Sequence, residues 1–273
     1  MKKILTFLLC FISVLYFSQN TRFIYNFNYK TDSTAISYQN EPMILELNGE
    51  DVQFYEMKAI RTDSLNQLNS NGSSNYPFEF AKIRRKLSAK TNYNYYFLRG
   101  DYWSYKSEDN IDWKIENETK KYDIWTAQKA TAKYGGRNWT AWFVSSLPIS
   151  EGPYKFNGLP GVIIELYDDK QNFIFNLAKI EKPTKTNSKL VETVFKKEPL
   201  LIPYSKFVEM QVTNYNDPYY QFRNMKEGTW KIGMTGNEIT THEGLNKVTK
   251  DMQAYIRKNN NPIELDKIIH YKK

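Results

Sequence analysis

Cysteine and histidine are nearly missing from this sequence: one Cys and two His among 273 residues. That scarcity excludes zinc fingers, iron–sulfur clusters and disulfide scaffolds, all of which need several such ligands. Also absent is a Gly-x-Ser-x-Gly elbow, and the only histidines, His242 and His270, read as surface residues, which leaves a Ser–His–acid triad without a base. Gly152, Gly158 and Gly161 match neither a phosphate loop nor a dinucleotide fingerprint. A metal site would have to be built from carboxylates such as Asp168-Asp169 or Glu116 and Glu118. Calcium needs six to eight oxygens, so no metal and no cofactor is expected.

Long apolar runs are missing too. The longest, Ile4 to Phe17, follows Met1-Lys2-Lys3 and ends at Ser18-Gln19-Asn20. A bilayer-spanning helix needs about 20 apolar residues, so this pattern reads as a cleavable signal peptide over residues 1–19. Cys10 follows Leu8-Leu9 and lies inside the run, which is not the setting of a lipoprotein cysteine. Cleavage would leave a single domain over 20–273, without cysteine and with no stable transmembrane segment. Loss of Lys2 and Lys3 would take the formal charge from +8 to +6. For an exported chain, this moderate basic excess suits solubility or an anionic envelope surface, and no nucleic-acid partner is expected.

Aromatic residues and asparagine are abundant: 21 Tyr, 16 Phe and 6 Trp make 16% of the chain, beside 26 Asn. Such a composition favours strands and turns. Phe23, Tyr25, Phe27 and Tyr29 alternate with mostly polar residues, the period of a half-buried strand. Met43–Leu47 and Val52–Ala59 flank Asn48-Gly49, a hairpin signal. Further strands are expected at 93–98, 102–106, 111–115, 123–133, 138–144, 162–167 and 173–180, with a loop over Asn66–Asn75. Residues 182–197 are polar and basic and read as a linker or exposed excursion. The basic run Lys82-Ile83-Arg84-Arg85-Lys86 reads as a solvated face. Ser205 is a candidate cap for a short helix. Thr240 or Thr241 caps a longer one carrying Leu245, Val248, Met252, Tyr255 and Ile256, which Asn259–Pro262 ends. Ile263–Tyr271 reads as a last strand. The fold class that follows is mainly β with minor α: a curved antiparallel sheet, half-barrel or open barrel, with one or two C-terminal helices.

One segment is unusually dense in rings, prolines and glycines. Gly136-Arg137-Asn138-Trp139-Thr140-Ala141-Trp142-Phe143 leads through Leu147-Pro148 into Gly152-Pro153-Tyr154-Lys155-Phe156, then Gly158-Leu159-Pro160-Gly161-Val162-Ile163. Proline fixes φ and glycine admits backbone angles that other residues resist, so this connection is expected to be ordered and packed. These motifs, with Asn261-Pro262-Ile263-Glu264-Leu265, resemble the GLPGLI family of exported Bacteroidetes proteins, with Val162 where the family's name has Leu. Ala127 stands where members often carry a cysteine. The resemblance implies export and a β-rich fold; it implies no settled activity.

Two functional readings follow. In the first, the protein is a non-enzymatic cell-envelope component. It binds an apolar ligand, a peptide or an envelope partner through Arg137, Trp139, Trp142, Tyr154 and Phe156, as an accessory to outer-membrane uptake or assembly. Gly158, Leu159, Pro160 and Gly161 are architectural. In the second, it is a carboxylate-dependent periplasmic hydrolase of peptides or glycans using Arg137, Tyr154, Glu165 and Asp168, with Glu165 raised in pKa on a buried strand. The missing catalytic constellation favours the first.

Overall fold

The computed structural model describes residues 20–68, 80–234 and 237–272; the expected signal peptide lies outside them. Twelve strands form one large curved sheet that does not close. In chain order they are β1 (Thr21–Tyr29), β2 (Gln39–Asn48), β3 (Asp51–Glu56), β4 (Lys82–Lys86), β5 (Thr91–Leu98), β6 (Asp101–Glu108), β7 (Lys114–Tyr122), β8 (Trp125–Tyr134), β9 (Arg137–Val144), β10 (Val162–Asp168), β11 (Phe173–Glu181) and β12 (Leu200–Leu201). Their spatial order is β12-β6-β5-β4-β3-β2-β1-β11-β10-β9-β8-β7. Strand β1 is therefore the spine. Hairpins β2–β6 run away from it on one side and β11–β7 on the other, every pairing being antiparallel except β12 on β6. The expectation of a mainly β, curved, open sheet holds.

Alternation assigns the two faces. Phe23, Tyr25, Phe27 and Tyr29 of β1 point to an inner face, with Met43, Leu45, Phe54, Ile83, Trp139, Phe143 and Phe175, and build the larger core. Phe27 and Phe175 stack with ring centroids 4.0 Å apart across the β1–β11 pair. On the outer face Ile44, Tyr55, Tyr95 and Tyr102 form a second core. Helices α1 (Lys58–Leu68) and α2 (Leu190–Thr193) cover it. The C-terminal part adds α3 (Tyr204–Asn216), α4 (Tyr220–Arg223), the small hairpin β13 (Ile232–Met234) and β14 (Asn237–Ile239), and α5 (His242–Lys258). Among the described residues, no helix is long and apolar enough to cross a membrane.

Several local expectations are corrected. Helix α1 was unforeseen and takes in residues 66–68 of the expected loop; 69–75 lie outside the described residues. Its buried residues, Ala59, Thr62, Asp63 and Asn66, are largely polar, so no apolar stripe marks it. The 182–197 excursion is not exposed throughout: its second half is anchored, although Thr193, Lys196 and Lys197 face outward. Leu190, Val191, Val194 and Phe195 are buried in the outer core. Protein side chains replace solvent around its backbone: Gln53 donates to Asn187 O at 2.9 Å and accepts from Val191 N, Asn66 donates to Val194 O at 2.6 Å, and Tyr102 donates to Val191 O. The basic run is strand β4, not a solvated face, and Lys82 and Arg85 are buried. Strand β7 starts at Lys114 and extends to Tyr122, beyond the expected 111–115. Pro203, not Ser205, takes the N-cap position of α3. Thr241 caps α5 by accepting from Gly244 N, and α5 ends at Lys258, as expected. Residues 263–271 form no strand but a strap with one 3₁₀ turn, Leu265–Lys267.

Candidate functional site

The 145–161 loop between β9 and β10 folds back across the inner face and joins the two arms of the sheet. Trp139 of β9 packs on Phe156 (4.6 Å between centroids), Phe156 neighbours Tyr154, and Tyr154 meets Phe54 of β3 at 6.4 Å. Val162 N and Ile163 N at the start of β10 donate to Leu147 O and Glu151 O, and within the loop Gly158 N donates to Ser150 O and Glu151 forms a β-bridge with Asn157. Gly161 lies against Val144: a Cβ there would collide with the Val144 carbonyl. The glycine serves close backbone approach.

Three buried ion clusters pin this arrangement. Arg85, from the basic run, is paired with Glu151, both side chains fully buried. Its Nη1 also donates to Tyr154 O at 2.8 Å, while Glu151 accepts from Ser88 N at 3.1 Å. Arg137 donates to Asp168 Oδ2 (2.9 Å), Ile263 O (3.0 Å), Asn261 Oδ1 (2.6 Å) and Pro262 O (2.8 Å). It thereby straps residues 261–263 to the β10 end, with its guanidinium over Phe173. Next to that, the β8–β9 turn has positive φ at Gly135 (59°) and Gly136 (73°), and Gly135 O accepts from Leu265 N at 2.6 Å. Cβ atoms on these glycines would press on Glu264 and on Leu265 and Asp266, so the turn is bare where the strap lies on it.

The third cluster joins the most charged groups. Lys155 Nζ donates to Glu264 Oε1 (2.6 Å) and Ser107 Oγ (3.2 Å) and stands 3.4 Å from Asp109. Tyr154 OH donates to Glu264 Oε1 (2.5 Å), Tyr134 OH to Asp109 Oδ1 (2.8 Å) and Asn92 Nδ2 to Asp109 Oδ2 (3.0 Å). Lys267 pairs with Glu264 and lies 3.6 Å from Asp109. Two cations meet two carboxylates, so the cluster is neutral. Burial pushes the Glu264 carboxyl up, but Lys155 and Lys267 outweigh it and hold it below the usual range. Asp109 is lowered the same way, burial being overcome by Lys155, Ser107 and Lys267. Burial lowers Lys155 despite Glu264 and Asp109, and burial with the Glu264 charge raises Tyr154 well above an ordinary tyrosine.

Above this cluster is a cavity of about 270 Å³ between the inner face, α3 and the strap. Its wall is aromatic: Tyr96, Tyr105, Tyr154, Tyr204, Phe80 and Phe207, with Tyr96 and Phe207 4.6 Å apart and Tyr105 and Phe207 5.0 Å apart. Glu264, Lys267, Gln211 and the Asn259–Asn261 run supply the polar edge. This is the ring-lined concavity with few converging polar groups that small-molecule sites share.

Residues 134–165 match the family model described as "Protein of unknown function (Porph_ging)". The match is consistent with a Bacteroidetes family. The matched segment spans the Gly135-Gly136 turn, Arg137, Glu151, Tyr154 and Lys155, the parts that hold the strap and floor the cavity. No curated protein matches the sequence. Two structures of PNGF-II, in C2 and P21 space groups, resemble the fold at TM-score 0.52 and 12% identity, over 70% of this chain and 32% and 33% of theirs. The chain thus spans about a third of their length, and the likeness is one of fold.

Of the five residues expected to bind, Tyr154 lines the cavity. Trp139 and Phe156 are buried in the inner core, and Arg137 spends its donors on the strap. Trp142 points to the outer face, where Lys120 Nζ sits 4.3 Å from its ring. The four residues of the hydrolase reading are dispersed. Arg137 and Asp168 pair with each other, and Asp168 also accepts from Phe173 N. Tyr154 bonds Glu264, and Glu165 lies on the outer face paired with Lys120 at 2.6 Å. Sequence reasoning missed Glu264, Lys155, Asp109 and Tyr204. Glu264 lay in the Asn261–Leu265 motif, read only as a resemblance.

Proposed function

We propose that this chain is an exported cell-envelope protein of the GLPGLI type that binds a small ligand or a peptide side chain in the tyrosine-lined cavity without transforming it. One observation carries the reading: a ring-walled cavity of about 270 Å³ bordered by a strap, above ion pairs already satisfied by the protein itself. A general base works best with a pKa near the operating pH. Glu264 is displaced downward and Tyr154 upward, so neither is poised to exchange a proton near neutrality. The hydrolase reading gains less support, since Glu165 and Tyr154 are on opposite faces of the sheet. A ligand with one ring-sized apolar body and one or two hydrogen-bonding groups suits the wall and the polar edge.

The test is thermal shift with indole, tyramine and a tyrosine-containing dipeptide, together with native mass spectrometry of the protein recovered from the envelope fraction. A fitting probe at a hundredfold excess over Kd raises Tm by roughly 5–10 °C, and Tyr204→Ala removes the rise. Recovery in the cytoplasm, or a bare mass with no probe raising Tm, would sink the reading.

A further inference from the structure

The outer face carries a second and larger concavity. A cavity of about 720 Å³ opens between β5, β6, α1, α2 and the segment leading to β12. One of about 330 Å³ adjoins it, the two sharing Tyr93, Tyr95 and Glu192. Together they make an elongated groove whose middle is formed by these residues.

Its charges are balanced within the protein. Arg84 bridges Asp51 (3.1 Å) and Glu192 (2.6 Å), Lys86 stands 3.2 Å from Asp51, and Lys197 pairs with Asp101 at 3.2 Å. A groove arranged this way presents no field of one sign to attract a polyanion or polycation. Lys189, Lys196 and Glu198 also line it, beside neutral hydrogen-bonding groups. Asn66, Gln67, Asn187, Thr193 and Ser104 line it, and Asp63 accepts from Gln67 at 2.8 Å and Asn187 at 3.3 Å, which fixes those amides in place. An apolar ligand would strip water from the exposed polar groups at the groove edge and return no hydrogen bonds. Tyr95 donates its hydroxyl to Glu192 at 3.0 Å, which holds the ring rigid, and Tyr93 is half-buried beside it.

We infer that this groove is a binding site for a short neutral oligosaccharide. A polyhydroxylated chain offers hydroxyl partners to the amides and carboxylates at the groove edge, lays a C–H face on the half-buried Tyr93 ring, and brings no charge into a balanced groove. The combined volume lies in the range of small-ligand sites, and the elongation suits a linear chain. This site lies on the other face of the sheet from the strap-covered cavity and stands independently of it.

Calorimetric titration of the full chain with maltotriose, cellotriose, N-acetylated chitotriose and trigalacturonate tests the inference. At least one neutral trisaccharide is expected to bind more tightly than trigalacturonate. Tyr93→Ala is expected to weaken it about tenfold or more. Thr193→Trp, which plugs the groove from an exposed position, abolishes binding without removing a core contact. The inference is overturned if no neutral trisaccharide binds the folded wild type. It is also overturned if trigalacturonate binds best, or if both folded variants bind as the wild type does.

Discussion

The two faces of one sheet solve the problem of buried polarity in opposite ways. On the inner face, charges from distant strands are drawn into closed clusters: Arg85 with Glu151, Arg137 with Asp168, and Lys155 with Glu264 and Asp109. The residues they join are 66, 31 and 109 positions apart in sequence. On the outer face Lys82 and Glu46, the latter held by Arg22 and Tyr55, are buried as well, but the polar groups around the groove stand at its open edge. Charge on the inner face therefore serves architecture, and polarity on the outer face remains available to a ligand.

The sharpest way to break this contrast is at Arg85. Removing one partner of a fully buried pair leaves the other charge without compensation, which costs about 3–5 kcal/mol. Arg85→Met should lower the denaturation midpoint by that amount. Arg84→Met, whose pairs are part-buried on the outer face, should cost about 1 kcal/mol or less. Equal losses in urea unfolding would show that the two faces do not differ as described.

Next in size is Gly161→Val. A side chain there runs into the Val144 carbonyl, and the backbone of β9 or of the loop must shift, at a cost of about 1–3 kcal/mol. Since the loop joins both arms of the sheet, the variant should also loosen the strap. Faster hydrogen exchange at Leu265 N, whose acceptor is Gly135 O, would report this. Equal melting temperatures for variant and wild type would contradict the close approach.

What the sequence disclosed and what it hid follow the same division. Hairpins and the cap of α5 were legible because their signals are local: Asn48-Gly49, alternating rings in β1, Thr241 before an apolar spacing. Tyr154 was marked by its proline- and glycine-rich surroundings. Helix α1 was not legible, because the face it buries is polar and docks by hydrogen bonds such as Asn66 to Val194 O. The basic run was misread because its acids, Glu151, Glu192 and Asp51, come from other elements. Ile263–Tyr271 has strand-like composition, yet its backbone partners are the Arg137 side chain and a turn, which no periodicity announces. Glu264 was hidden for the same reason.

The smallest expected effects are differences in pH slope, at most about 1.4 kcal/mol per pH unit for each proton. On the inner face Glu264 and Asp109 are depressed, so their contribution is complete above the ordinary carboxylate range and is lost as pH falls through their folded values. Lys155→Met removes a cation that depresses both, so its stability gap from wild type should narrow between pH 7 and 3. On the outer face Lys82 behaves oppositely. Burial, with Lys58 adding to it and Glu56 opposing it, pulls its ammonium down to about 7 from 10.5. The unfolded chain then holds a proton that the folded chain has released, so wild-type stability should climb relative to Lys82→Met as pH rises from about 7 toward 10. Urea midpoints at pH 7 and 9 decide this. A constant difference between the two proteins would mean that Lys82 stays charged beside the Tyr102 and Phe195 rings, and that the outer face can close an ion pair as completely as the inner one.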